Sequence, residues 1–332
     1  MPELNSKKTW QDALSNLITD PKELLTLLEL DPALLDEAII AARAFPLRVP
    51  LSFVARMQKG NPDDPLLKQI LPLGLEMQEV RGFVSDPLAE QQANPVPGLL
   101  HKYHGRVLVT LTSVCAVHCR YCFRRHFPYA DNNPGRAGWK QLFSYIAEDP
   151  TINEVILSGG DPLAVNDRLL RSFTNELAAL SQIKRLRIHT RLPIVLPDRV
   201  TDELIEWALQ LPFNLVVVVH ANHPQEIDET VRAALLRLRS AGIHLLNQAV
   251  LLKGVNDNVE TLVNLSESLF SAGVLPYYLH VLDKVKGAHH FDLPKAKVRE
   301  LYLTLISRLP GFLVPRLVRE EAGELSKTLL YP

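Results

Sequence analysis

The chain has 332 residues, 47% of them hydrophobic and 22% charged, and its 36 lysines and arginines against 37 acids leave a net charge of −1. That length supports one large domain or two smaller ones with a full-sized core, and the composition excludes an intrinsically disordered chain. The charge balance excludes a global pull onto nucleic acid or an anionic membrane. The longest purely aliphatic run, Leu215 to Val219, falls far short of the roughly 20 residues that a bilayer span needs, and the opening MPELNSKKTW holds no apolar signal core. A cytoplasmic protein with no membrane and no nucleic-acid partner is expected.

Residues 1–98 read as a mostly helical N-terminal region. Leu24, Leu25, Leu27 and Leu28, then Leu34, Leu35, Ile39 and Ile40, have helical spacing, interrupted by prolines at 46, 50, 62, 65, 72, 87, 95 and 97. From Arg106 the rhythm changes to short apolar runs at Val107–Leu111, Glu154–Leu157, Arg185–His189, Asn214–Val219, Ile243–Leu251, Val274–Val281 and Phe312–Val318. Helical segments such as Glu226–Ala241 and Val259–Ala272 lie between them. This alternation predicts an α/β fold of right-handed βα units on a parallel sheet, a full or partial (β/α) barrel over residues 99–332. Chemistry then belongs at the C-terminal strand ends. Gly242 and Gly273, each between a helix and a strand, fit helix C-caps.

All three cysteines fall in one segment directly after the first of these runs: Cys115, Cys119 and Cys122. Thiolates four and three residues apart on one loop can each ligate a different iron of a cubane and leave the fourth iron open. A closed zinc site with His118 or His126 as fourth ligand is the rival, and three buried thiols packing as small hydrophobes is the plain alternative. Leu157-Ser158-Gly159-Gly160-Asp161-Pro162-Leu163 ends the second run. Its glycines allow close backbone approach and Asp161 can accept from an ammonium, although such a triplet is also an ordinary tight turn.

The CxxxCxxC spacing, with the aromatic Tyr121 before the last cysteine and placed after the first strand of βα units, resembles the signature of radical S-adenosylmethionine enzymes. That resemblance implies a partial barrel of the radical SAM type and a [4Fe–4S] cluster on Cys115, Cys119 and Cys122. S-adenosylmethionine would chelate the open iron, with Tyr121, Gly159, Gly160 and Asp161 near it. Further segments narrow the resemblance to the lysine 2,3-aminomutase family: His101–Arg106, Cys119–Arg125, Ser158–Leu163, Thr190–Pro197, His220–Pro224, Asn247–Leu252, Gly254–Asp257 and Pro276–Tyr278.

The resemblance implies a 1,2-amino migration converting (S)-α-lysine to (R)-β-lysine with the help of pyridoxal 5′-phosphate, an isomerase reaction. By register with the family's C-terminal segment, Lys327 is the residue that holds pyridoxal phosphate as a Schiff base, and of the glycine-rich run common before that lysine only Gly323 is kept. Arg106 and Gln248 are further pyridoxal phosphate contacts, alongside Lys102, Tyr103 and Asn247. Arg124 matches the arginine that holds the substrate carboxylate, a task suited to a planar guanidinium. Asp257 and Glu320 match acids that meet the substrate's ε-ammonium, Glu320 standing where an aspartate is usual. Locally, Asn256-Asp257-Asn258 also reads as a turn and helix cap.

The chain ends five residues past Lys327, like the short bacterial aminomutase that supplies β-lysine for modification of elongation factor P. The resemblance then implies a one-electron reductant such as flavodoxin, and a functional link to elongation factor P and its lysyl-tRNA-synthetase-like ligase. It also allows a homo-oligomer. A catabolic lysine or glutamate 2,3-aminomutase is the alternative within the class. A zinc-stabilised RNA-binding module using Arg120, Arg124 and Arg125 is the alternative outside it.

Overall fold

The computed structural model of the chain describes residues 9–132 and 135–330; the opening segment Met1–Lys8 and the final Pro332, both used above, lie outside the described residues. Nine strands make one sheet: β1 Leu99–Tyr103, β2 Arg106–Thr112, β3 Glu154–Gly159, β4 Arg185–Thr190, β5 Asn214–Val219, β6 His244–Leu251, β7 Leu275–Val281, β8 Arg316–Arg319 and β9 Thr328–Leu329. They are ordered β1 to β9 as in the chain. Strands β2 to β8 are parallel, and the two edge strands are antiparallel to their neighbours. Among the described residues β1 and β9 do not pair, so this is an open partial barrel rather than a closed one.

The seven apolar runs thus become the seven parallel strands. Their alternate residues are buried, as Val155 and Leu157 are in β3 and Leu245, Ala249 and Leu251 in β6. The connecting helices cover the sheet with residues at helical spacing. In Asp167–Ala178, for example, Leu170, Phe173 and Leu177 are buried and contribute roughly 1.5–3 kcal/mol each. Asn166, Thr201, Asp228 and Asn258 cap these helices through side-chain oxygens that accept first-turn N–H groups. Gly242 and Gly273 have φ of +79° and +78°, as their C-terminal positions require.

Three local features differ from expectation. The run at Phe312–Val318 becomes strand only from Arg316, because Pro310 and Pro315 bracket a 3₁₀ turn at Gly311–Leu313. β1 was not expected; it is joined to β2 by the two-residue turn His104–Gly105, with Gly105 at φ +74°. In the N-terminal region Pro21, Pro32 and Pro65 occupy the first turns of helices, where a missing N–H costs nothing, so they start helices instead of only breaking them.

Residues 9–98 share one contiguous apolar core with the sheet: Trp10, Leu24, Phe53 and Leu66 belong to the same cluster as Val107 and Val155. Polar ties reinforce this packing. Ser52 donates to the Val195 carbonyl (2.6 Å), and Arg56 donates to the carbonyls of Ile194 (2.7 Å) and Glu226 (2.6 Å).

Candidate active site

The inner face of the sheet, together with the loops after its strands, lines a cavity of about 900 Å³. That is near the upper end of the range for small-molecule sites, with room for more than one ligand. Cys115, Cys119, Cys122, Tyr121, Arg124, Gly159, Gly160, Asp161, Arg106, Gln248, Glu320 and Lys327 all line it, whereas Asp257 does not.

The cysteine loop follows β2 and is tied to the N-terminal region on its outer side. Arg120 donates through Nε and Nη2 to both oxygens of Glu76 (2.7 and 2.5 Å), and Arg125 donates to the same carboxylate (2.7 Å). The backbone N–H of Arg120 donates to the Gln69 carbonyl (2.9 Å). These contacts fix the loop from below, so the three thiols face the cavity.

The glycines act on this loop. A Cβ on Gly160 would lie 2.5 Å from the Val114 carbonyl oxygen, and one on Gly159, at φ +104°, would lie 3.0 Å from Thr112 O. The N–H groups of Gly160 and Asp161 donate to the carbonyls of Thr112 and Val114, each at 2.8 Å. The close approach the glycines permit is therefore between the end of β3 and the start of the cysteine loop.

Asp161 is fully engaged by the protein. Its carboxylate accepts from Leu163 N, Thr190 Oγ1, Arg191 N and Leu192 N at 2.6–3.0 Å, which uses about all the acceptor sites a carboxylate has. It braces the ends of β3 and β4 and, although it lines the cavity, holds no spare lone pair for an ammonium.

The three cysteines fit an iron–sulfur cluster by their chemistry. Burial raises the Cys115 thiol, and the neighbouring Cys122 and Cys119 raise it further; burial pushes Cys122 up to about 11. Three mutually repelling thiolates in one wall gain when cations replace their protons. The two histidines considered as zinc ligands are engaged elsewhere. His118 Nδ1 is 2.9 Å from the Pro46 carbonyl and its ring stacks on Phe45, while His126 Nε2 is 3.2 Å from the Lys286 carbonyl.

Below the loop, a polar cluster missed by sequence reasoning surrounds Tyr121. Arg191 Nη1 donates to Cys119 Sγ (2.7 Å) and Tyr121 Oη (2.8 Å), and its Nη2 donates to Gln69 Oε1 (2.7 Å) and Glu226 Oε2 (3.1 Å). Asn222 Nδ2 also donates to Tyr121 Oη (2.6 Å). The signal was present in Thr190–Pro197 and His220–Pro224, which follow β4 and β5 directly, but no single spacing marks such a network.

On the other side of the cavity, charges alternate in a chain. Arg124 is clamped by Glu90 (Nε to Oε2 2.7 Å, Nη2 to Oε1 2.8 Å), Glu90 pairs with Lys102 (3.0 Å), Lys102 with Glu320 (2.9 Å), and Glu320 with Lys327 (2.6 Å). Burial works against the ionised Glu320, but Lys327 and then Lys102 outweigh it and hold the carboxyl well below its ordinary value. Glu90 was not singled out from sequence, because nothing in Glu90–Ala93 has a distinctive spacing.

Asp257 is half-buried in the turn after β6, and Asn258, not Asp257, caps the following helix. The structure therefore does not bring Asp257 to the cavity. The acid that does line the cavity is Asp283, two residues after β7, whose carboxyl burial and then Glu320 push up to about 7. Its signal was its position just past a strand's C-terminal end.

The region around Lys327 has features that fit pyridoxal phosphate. Gln248 Oε1, Arg187 Nε and His280 Nε2 are buried without a protein partner, and these three residues line the cavity with Tyr103, Arg106 and Arg316. Arg106 lies over the Tyr103 ring at 4.7 Å. Cations for a phosphate, unsatisfied polar atoms for a polar ring and a primary amine are therefore gathered in one place.

Comparison with known proteins agrees with this geometry. Residues 109–265 match the Radical SAM superfamily. The chain is 50% identical to L-lysine 2,3-aminomutase of Escherichia coli strain K12, over 98% of this chain and 95% of that protein, and 47% identical to that of Haemophilus influenzae, over 99% and 97%. It is 34% identical to the L-lysine 2,3-aminomutase of Clostridium subterminale, over 97% of this chain and 78% of that protein. With a near-full-length match at this identity, the chain belongs to the L-lysine 2,3-aminomutase family of radical SAM enzymes.

Proposed function

We propose that this protein converts free L-lysine, (S)-α-lysine, to (R)-β-lysine by moving the amino group from C2 to C3. The observation that carries the reading is the charge order of the cavity wall. Arg124 suits a carboxylate at one position, while Asp283 and Glu320 supply acids at another, which matches the carboxylate and ε-ammonium of one lysine. An ammonium losing its hydration in a cavity needs such acids. The same acids would repel the side-chain carboxylate of glutamate, which disfavours a glutamate aminomutase.

Cys115, Cys119 and Cys122 would hold the cluster, Lys327 would anchor pyridoxal phosphate, and Arg106, Tyr103 and Gln248 would surround it. When bound, the cluster supplies the electron that cleaves S-adenosylmethionine to a carbon radical, and pyridoxal phosphate supplies a π system through which the nitrogen can bridge two carbons. The chain's own residues position these groups. Arg124 orients the substrate backbone, Glu320 holds the Lys327 amine, and the polar cluster at Tyr121 and Arg191 supports the cysteine loop.

Supply of β-lysine for elongation factor P, through a lysyl-tRNA-synthetase-like ligase, is our reading of the pathway. It is consistent with the 50% and 47% identity to the L-lysine 2,3-aminomutases of Escherichia coli and Haemophilus influenzae, and a cytoplasmic location with a flavodoxin-like reductant accords with it. No helix among the described residues is long and apolar enough to cross a membrane. The test is anaerobic reconstitution with iron, sulfide and pyridoxal phosphate, then reduction with S-adenosylmethionine and L-lysine and chiral product analysis. Formation of (R)-β-lysine is expected; 5′-deoxyadenosine without β-lysine would show the substrate to be wrong.

A further inference from the structure

Arg124 reaches the cavity in a form its sequence position does not disclose. Its Nε and Nη2 are bound to Glu90 at 2.7 and 2.8 Å, and its Nη1 donates to Ser158 Oγ at 2.9 Å. A guanidinium has five N–H donors, so Nη1 and Nη2 each keep one N–H beyond these bonds. Arg124 lines the cavity with two donors left for a second carboxylate.

Glu90 is 2% exposed and enters from the N-terminal region, outside the βα units that carry the rest of the site. The chain is shaped to deliver it. Ala89 has φ +49° and ψ +42°, a left-handed conformation disfavoured for a residue with a Cβ, and Asp86 Oδ1 accepts the Glu90 N–H at 3.0 Å. Glu90 Oε1 also meets Lys102 Nζ at 3.0 Å, so one carboxylate holds both cations.

We propose that Glu90 is a specificity-determining positioning residue. By clamping one edge of Arg124 it presents the other edge to the carboxylate of the substrate, and by holding Lys102 it keeps this grip in register with Glu320 and Lys327. The inference rests on the reading of Arg124 as the substrate carboxylate's partner. Without Glu90, Arg124 is a buried cation that has lost its carboxylate partner, whereas Lys102 keeps Glu320. Arg124 is then free to leave the position from which its remaining N–H groups meet the carboxylate, while the acids that receive the ammonium stay in place.

The test uses the unreduced holoenzyme, in which ligand binding is followed through the absorbance of pyridoxal phosphate. The probes are L-lysine and 1,5-diaminopentane, the same diamine without a carboxylate. Wild type should prefer lysine. Glu90→Gln should bind lysine about tenfold to a hundredfold more weakly, as misplacement of a holding group does, with diaminopentane changed by no more than about twofold. Glu90→Asp keeps the charge but is too short for the two-point grip, and should show a smaller loss in the same direction with wild-type iron and pyridoxal phosphate contents. Unchanged or tighter lysine binding in both variants would overturn the proposal while leaving Arg124 in place. A wild type that does not distinguish the two probes would remove Arg124 from the carboxylate, and the role of Glu90 with it.

Discussion

Lys327 Nζ and Glu320 Oε2 lie 2.6 Å apart, joining the amine proposed to anchor pyridoxal phosphate to an acid proposed for the substrate. The 20% and 15% exposure of the two side chains leaves them within reach of ligands in the cavity. Lys327→Ala should abolish covalent retention of pyridoxal phosphate, read by borohydride reduction and mass spectrometry, and leave the iron content unchanged. Cofactor still attached to the chain would move the anchor to another lysine.

The three thiols line one wall, and His118 and His126 on the same loop are engaged by the carbonyls of Pro46 and Lys286. Cys115→Ala, Cys119→Ala or Cys122→Ala should each lose the iron–sulfur absorbance and β-lysine formation together, while pyridoxal phosphate still attaches. Turnover retained by any one of them would contradict the ligand set.

Asp283 and Asp257 separate two readings of the ammonium site. The Asp283 carboxyl, raised by burial and then by Glu320 to about 7, faces Lys327, Lys102 and Glu90 as well. Its ionised form attracts an ammonium, so lysine binding should strengthen as pH rises through about 7, and Asp283→Asn should bind about tenfold or more weakly with a flatter profile. The ligand-free fold responds with the opposite sign: a raised carboxyl contributes stability that is complete below its ordinary value and lost as pH climbs through about 7. Asp257→Ala should leave lysine binding within about twofold of wild type, and a large loss would restore it to the site.

Gly160 is held against the cysteine loop, with no room for a methyl group 2.5 Å from the Val114 carbonyl oxygen. Gly160→Ala should destabilise the fold by about 1–3 kcal/mol and lower cluster loading by shifting the loop. Wild-type melting temperature and iron content would show that the close approach is not needed.

The seven parallel strands were legible because each is a short apolar run between helical segments, and Cys115, Cys119 and Cys122 because their spacing is chemically distinctive. Lys327 and Glu320 came from register with a family, and the structure brings them to one cavity. Three kinds of residue were not legible. Asp257 and Asp283 are both acids just past strand ends, and only the path of each loop decides which enters the cavity. Asp161 looked available until its donors were seen. Glu90 and Arg191 act through partners 34 and 72 positions away, and pairings at that range leave no local pattern.

The central claim is that one lysine keeps its own nitrogen as it moves from C2 to C3. The most direct measurement supplies L-lysine labelled with ¹⁵N at the α-amino group to the reduced, reconstituted enzyme in the presence of excess unlabelled ammonium, and locates the label in the product by NMR. β-Lysine carrying ¹⁵N wholly at C3 is expected. Label released to ammonium, or β-lysine carrying unlabelled nitrogen at C3, would contradict it.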